Sequence, residues 1–191
     1  MASALKNTLD LRSFLVLWGA GNSGKTTTLR MLLEEISKKQ NSNVVPTAVS
    51  SFLSKRQEFR IIIKYQETYI YLSTYGDTLE ETQANMSFFD GELKNKRIFV
   101  YQPGSSVQLL NKETDYYSIM SPSFCISACR GDGRVPLPLD YYGDKMRIHT
   151  SSIVWLHKEK DSAKTHYHNS NRSHAIEICE FIERKNQNKL I

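Results

Sequence analysis

Residues 13–18, SFLVLW, form a continuous apolar run that stops at a glycine. A run without polar alternation suits a strand buried on both faces of a parallel sheet. From Gly24 the period changes. Leu29, Leu32, Leu33 and Ile36 fall at i, i+3, i+4 and i+7, one face of a helix running to about Gln40. Strand, glycine-rich bend and helix therefore succeed one another directly. The next stretch, NSNVVPTAVSSFLSKR, is polar, broken by Pro46, and reads as a connection or a weak strand.

Two β-rich runs, residues 58–65 and 68–74, flank Gln66-Glu67 and predict a hairpin, although the turn lacks an Asn-Gly or Asp-Gly signal. Residues 78–89 predict a helix with Leu79, Thr82, Met86 and Phe89 facing inward. KRIFVYQ, residues 96–102, predicts a strand stopped by Pro103-Gly104, and SVQLLN predicts either another strand or part of a helix. SFCISACR, residues 123–130, predicts a strand. The next fifteen residues, 131–145, hold three glycines and two prolines and predict a loop. IVWLH, residues 153–157, predicts a last buried strand. A closing helix over 174–184 places Ala175, Ile178, Cys179 and Ile182 on one face. No internal repeat or low-complexity tract interrupts this order. The expected fold is α/β: a single domain over residues 1–191, a three-layer α/β/α sandwich around a mostly parallel sheet with one β-hairpin.

Composition narrows the class. With 40% hydrophobic and 24% charged residues, the chain of 191 residues has the make-up of an ordinary soluble domain. No apolar run approaches the ~20 residues that span a bilayer. MASALKNTLDLRS lacks a signal peptide's basic start and cleavage pattern, so a cytoplasmic location is expected and a membrane is not. Cys125, Cys129 and Cys179 have no metal-site spacing and are expected as buried reduced thiols. A net charge of +5 suits an anionic ligand, but the basic residues are scattered and do not indicate nucleic acid.

The bend itself carries the chemistry. GAGNSGKT, from Gly19 to Thr26, matches G-x-x-x-x-G-K-[ST] without a substitution and resembles the phosphate-binding loop, or Walker A motif, of the P-loop NTPases. Backbone amides of such a bend point inward as an anion cradle, and glycine permits the dihedrals and the close approach. The succeeding helix adds the positive end of its dipole. The resemblance implies that Gly19, Ala20, Gly21, Asn22, Ser23, Gly24, Lys25, Thr26 and Thr27 hold a nucleoside triphosphate. Lys25 would reach the β- and γ-phosphates, and the Thr26 hydroxyl would hold Mg²⁺.

It also implies an acidic residue after a second strand, which orders magnesium and the attacking water or acceptor. Asp77, after YIYLSTYG, stands in that place. Asp77 and Glu80 in DTLE equally fit a capping box for the next helix, and both roles can hold at once. Ser73 and Thr74 near the same edge either bind the magnesium shell or fill the strand end. In SACRGDGR, a strand ending near Ser127 delivers Arg130, Asp132 and Arg134 to the same edge. An arginine there suits phosphate oxygens, so Arg130 joins Lys25 and Asp77 as a catalytic candidate; a solvated turn is the bland alternative, favoured for Arg134. The loop over 131–145 could close over the site as a lid.

The guanine-reading set of the P-loop GTPases is not in order here. DYYG at 140–143 falls too late, NKETD at 111–115 has one residue too many, and SAK at 162–164 lies in a polar stretch. ATP is the default nucleotide, with GTP as the alternative. His166 and His168 lack a third partner for zinc. Lys158 and Arg172 read as surface charge, with contact to a nucleotide or a partner as the alternative, and the run from His157 to His174 as a base-side loop or solvated connection. The leading expectation is Mg²⁺-dependent ATP or GTP hydrolysis, as a switch or an energy-supplying subunit working with a protein partner or a second copy. The alternatives are a small-molecule or nucleotide kinase and a slowly hydrolysing nucleotide-dependent interaction module. For the base, Glu80, Glu81 and Asp132 are the candidates.

Overall fold

A computed structural model describes residues 13–66, 68–86, 97–110, 124–130, 153–158 and 164–187. The apolar run forms β1 (Ser13–Gly19), and the period-3.6 segment forms α1 (Lys25–Gln40), which buries Leu29, Leu32, Leu33 and Ile36 as its spacing requires. Lys38 and Lys39 in its last turn complement the negative end of the helix dipole.

The polar stretch after α1 is a helix, not a weak strand. α2 (Thr47–Ser54) starts at Pro46, whose carbonyl accepts from the Val49 and Ser50 amides at 3.0 Å each. Val49, Phe52 and Leu53 are its buried face. Their i, i+3, i+4 spacing is helical, and proline suits a helix start because its fixed φ and missing N–H do no harm there.

The hairpin forms as expected from β2 (Arg60–Tyr65) and β3 (Thr68–Ser73), with Tyr65 opposite Thr68 and Gln66 at φ 54° in the turn. α3 (Leu79–Met86) comes after it, and Phe89 of the expected helix lies outside the described residues. Then come β4 (Phe99–Tyr101), β5 (Gln108–Leu109), β6 (Phe124–Arg130) and β7 (Ile153–His157). α4 (Lys164–Gln187) begins ten residues before the expected start at His174, so the polar run from 164 is helical and not a solvated connection.

Among the described residues the strands form one sheet in the order β5-β4-β2-β3-β6-β1-β7. It is mixed, not mostly parallel. β1, β3, β6 and β7 run together, while the hairpin reverses β2 and β4 pairs parallel to β2. β5 turns back antiparallel to β4. β6 separates β1 from β3, with Gly19 opposite Arg130 and Ser73 opposite Ser127. The ends of β1, β3 and β6 therefore share one edge, and because β2 is antiparallel its beginning lies at that edge too.

Leu15, Leu17, Ile61, Ile63, Leu72, Ile126 and Ala128 join the buried faces of α1, α2 and α4 in one apolar cluster. Residues of the other parity meet α3. Tyr71 donates to Asn85 Oδ1 at 3.0 Å, and Thr82 Oγ1 lies 4.0 Å from Cys129 Sγ. All three cysteines are buried thiols, as expected. Among the described residues, no helix is long and apolar enough to cross a membrane.

Candidate functional site

Three segments converge at the shared edge. The first is the bend between β1 and α1. A Cβ on Gly19 would overlap the Lys158 carbonyl oxygen and come within 3.0 Å of Ser23 Oγ, so only glycine allows the chain to turn here. Asn22 (φ 61°) and Gly24 (φ 88°) are left-handed, and the Ser23 amide closes the bend on the Ala20 carbonyl at 3.3 Å. Left-handed residues in a short bend turn amides to one side, the geometry that receives an anion. Gly24 caps α1 without a side-chain hydrogen bond, and the first turn holds no acidic residue. The positive end of the helix is thus uncompensated by the turn's own side chains. Lys25 is 6% exposed, and its ammonium folds back into the bend, donating to the Gly19 and Ala20 carbonyls at 2.9 Å each.

The second segment is the turn after β3. A Cβ on Gly76 would overlap the Ala128 carbonyl oxygen, so this turn lies directly on β6. From below, Asn85 donates to the Tyr75 carbonyl at 2.7 Å while accepting from Tyr71. Burial raises Tyr71 far above the usual phenol range, so it stays a donor. The helix cap is one residue later than DTLE suggests. Thr78 Oγ1 accepts from the Glu81 amide at 3.2 Å, and Glu81 Oε2 accepts from the Gly76 and Asp77 amides at 3.2 and 3.0 Å. Thr78, not Asp77, is the cap residue, and Glu81 rather than Glu80 reaches back, to the amides of the two residues before the cap. That leaves the exposed Asp77 carboxylate outside the cap.

The third segment joins α2 to β2. Arg30 of α1 donates to the carbonyls of Leu53 at 2.8 Å, Gln57 at 3.5 Å and Arg56. Beyond it, the Phe59 amide donates to Thr74 Oγ1 at 2.8 Å and the Thr74 amide to the Phe59 carbonyl at 3.0 Å. Gln57 and Glu58 are held between these two anchor points.

A cleft of about 650 Å³ opens between the segments, lined by residues 21–27 on one wall and Gln57, Glu58, Thr74, Tyr75 and Asp77 on the other. Lys25, Thr26 and Asp77 therefore share one space, with Gly19 and Ala20 at its root. Thr74 and Ser73 are strand-end packing: the Thr74 hydroxyl is engaged by Phe59, and the buried Ser73 hydroxyl lies 3.5 Å from the Tyr75 carbonyl. Glu80 is exposed and is not among the lining residues. Arg130 ends β6 beside Gly19, but its side chain lies outside the described residues, as do Asp132, Arg134, the 131–145 loop and the His166 and His168 side chains.

Gln57, Glu58 and Tyr75 are missing from the residues expected in the site. Partial burial, then the like charges of Glu81 and Asp77, raise the Glu58 carboxyl above its usual range, and Arg60 opposes them. The sequence does carry a signal for Glu58: in an antiparallel hairpin, residues just before the first strand meet residues just after the second.

Lys158 is not surface charge. It is 2% exposed, its amide extends the β1–β7 ladder to the Trp18 carbonyl at 2.8 Å, and its ammonium lies 2.6 Å from His174 Nδ1. Arg172 is exposed, 3.6 Å from Glu35. Burial lowers Lys158 to about 8, and burial followed by the Lys158 charge lowers His174, with Glu177 opposing in both cases. Both groups bind protons less readily folded than unfolded. The His174 contribution to stability is therefore complete above its ordinary value of 6.5 and is lost as pH falls through the lowered one; the Lys158 contribution is lost between 10.5 and about 8. Melting temperature should fall from pH 7.5 to pH 5, and His174→Asn, which keeps an acceptor near Nδ1, should flatten that fall. A variant with the parent's acid slope would contradict the pairing.

Comparison of the chain with models of known families, with curated proteins and with solved structures finds no match.

Proposed function

We propose that the cleft binds a nucleoside triphosphate with Mg²⁺ and hydrolyses it, ATP being the first candidate, in the manner of a P-loop NTPase. The observation that carries this reading is the Lys25 ammonium, buried in a bend of left-handed residues at the foot of α1 with two carbonyls as partners. An ammonium held by carbonyl dipoles can exchange them for phosphate oxygens, a stronger charge-assisted partner. The bend's amides and the α1 terminus add partial positive charge where the β- and γ-phosphates would lie.

Thr26 and Asp77 fit a magnesium ion. Among the described residues no group of three His, Cys, Asp or Glu side chains could hold a metal, and magnesium bound with a nucleotide needs none. It takes one or two protein oxygens, the phosphates and water, and Thr26 and Asp77, a hydroxyl and a carboxylate, both line this cleft. When bound, the ion neutralises charge developing on the transferring phosphoryl group. Lys25 stabilises the same charge, the bend orients the phosphates, and Arg130, paired with Gly19 at the end of β6, remains the further catalytic candidate. The reading carries a three-layer arrangement with it, supported by α3 meeting Tyr71 and Cys129 while α1, α2 and α4 enter the cluster of opposite parity.

The test is to incubate the full chain with γ-labelled ATP or GTP and Mg²⁺, with and without small-molecule acceptors. Free labelled phosphate supports hydrolysis. A labelled acceptor would make the protein a kinase, and retained triphosphate with a thermal shift would make it a binding module.

A further inference from the structure

We infer that Glu58 is the general base of the reaction, taking the proton from the water that attacks the γ-phosphorus. The inference rests on the hydrolytic reading above and names the group which that reading lacks. Of the carboxylates considered from sequence, Glu81 is engaged by the Gly76 and Asp77 amides, Glu80 is off the cleft, and Asp132 lies outside the described residues. Asp77 is the carboxylate that the hydrolytic reading assigns to magnesium together with Thr26. Among the described residues, Glu58 is the other carboxylate lining the cleft.

Its placement is built rather than incidental. On one side, Arg30 holds the Arg56 and Gln57 carbonyls, and Arg30 belongs to the helix that begins with Lys25. On the other, two hydrogen bonds join Phe59 to Thr74, three residues before Asp77. The backbone at Glu58 is therefore fixed to both walls of the cleft at once. An anchored backbone limits where the exposed Glu58 carboxylate can reach, and a proton is transferred only within hydrogen-bond reach.

The step balances without another reactant. A water oxygen forms a bond to the γ-phosphorus as the bond from that phosphorus to the β–γ bridging oxygen breaks. The electron pair of the broken bond stays on the nucleoside diphosphate. The water proton passes to the Glu58 carboxylate and then to solvent.

Glu58→Gln keeps the side chain's size and removes its basicity. With the parent and the variant at equal melting temperature, kcat should fall about 100-fold or more, in the range of general-base catalysis. The dissociation constant for Mg²⁺ and a non-hydrolysable triphosphate should change less than threefold. A parent that hydrolyses and a variant within twofold of its kcat would overturn the role of Glu58 and leave the hydrolytic reading standing. Loss that is restored by raising Mg²⁺ would also overturn it, since the carboxylate would then serve the metal. A parent that binds no nucleotide, or binds it without turnover, would sink the hydrolytic reading and this inference with it.

Discussion

Lys25→Ala should weaken binding of a magnesium-bound nucleoside triphosphate by about 100-fold or more while leaving the chain folded. A unit charge about 3 Å from a phosphate oxygen, at an effective dielectric of about 20, is worth about 5 kcal/mol. Losing half of that already costs about two orders of magnitude in affinity. Folding depends on this side chain far less. It donates to the Gly19 and Ala20 carbonyls at 2.9 Å and lies 3.5 Å from Ser23 Oγ; Ala20 is half-exposed, so water can replace the ammonium on that side. Isothermal titration with a non-hydrolysable triphosphate reads the affinity, and circular dichroism reads the fold. Parent-like affinity in a folded variant would remove Lys25 from the site.

Gly76→Ala should destabilise the chain by about 3 kcal/mol or more, lowering the melting temperature by about 6–12 °C. The new methyl would overlap the Ala128 carbonyl oxygen, with the Ala128 carbonyl carbon 2.6 Å away and the Cys129 amide nitrogen 3.1 Å away. All three are backbone atoms of a central strand, so no side chain can swing aside. Either β6 is pushed from β3 or the turn bearing Asp77 lifts off the sheet. Gly104→Ala supplies the contrast. A Cβ there meets nothing within 4 Å, and only the left-handed φ of 79° is penalised, by about 1–2 kcal/mol. Equal losses in the two variants would mean that the turn does not rest on β6 as described.

The parts of this molecule legible in its sequence are those decided by near neighbours. β1, the bend and α1 arise from an apolar run, three glycines and a 3.6-residue period within 28 residues. The β2–β3 hairpin arises from two β-rich runs two residues apart. α2 is obscured because small polar residues surround its three apolar positions and Pro46 resembles a breaker as much as a helix start. The first ten residues of α4 carry no apolar stripe. The mixed sheet depends on β4 choosing β2 and on β6 entering between β1 and β3, pairings between segments far apart in the chain. Within the site, Lys25, Thr26 and Asp77 are legible because a motif or a strand end marks them. Glu58 is harder to find, since its place depends on strand direction. Lys158 reads as surface charge because no local pattern tells a buried lysine from an exposed one.

The most direct test is a crystal structure of the full chain with Mg²⁺ and a non-hydrolysable nucleoside triphosphate. The β- and γ-phosphates should lie within hydrogen-bond reach of the amides of residues 21–26. Lys25 Nζ should have left the Gly19 and Ala20 carbonyls for a phosphate oxygen, with the Asp77 carboxylate beside the metal. Nucleotide seated elsewhere, with Lys25 still folded onto those carbonyls, would contradict it.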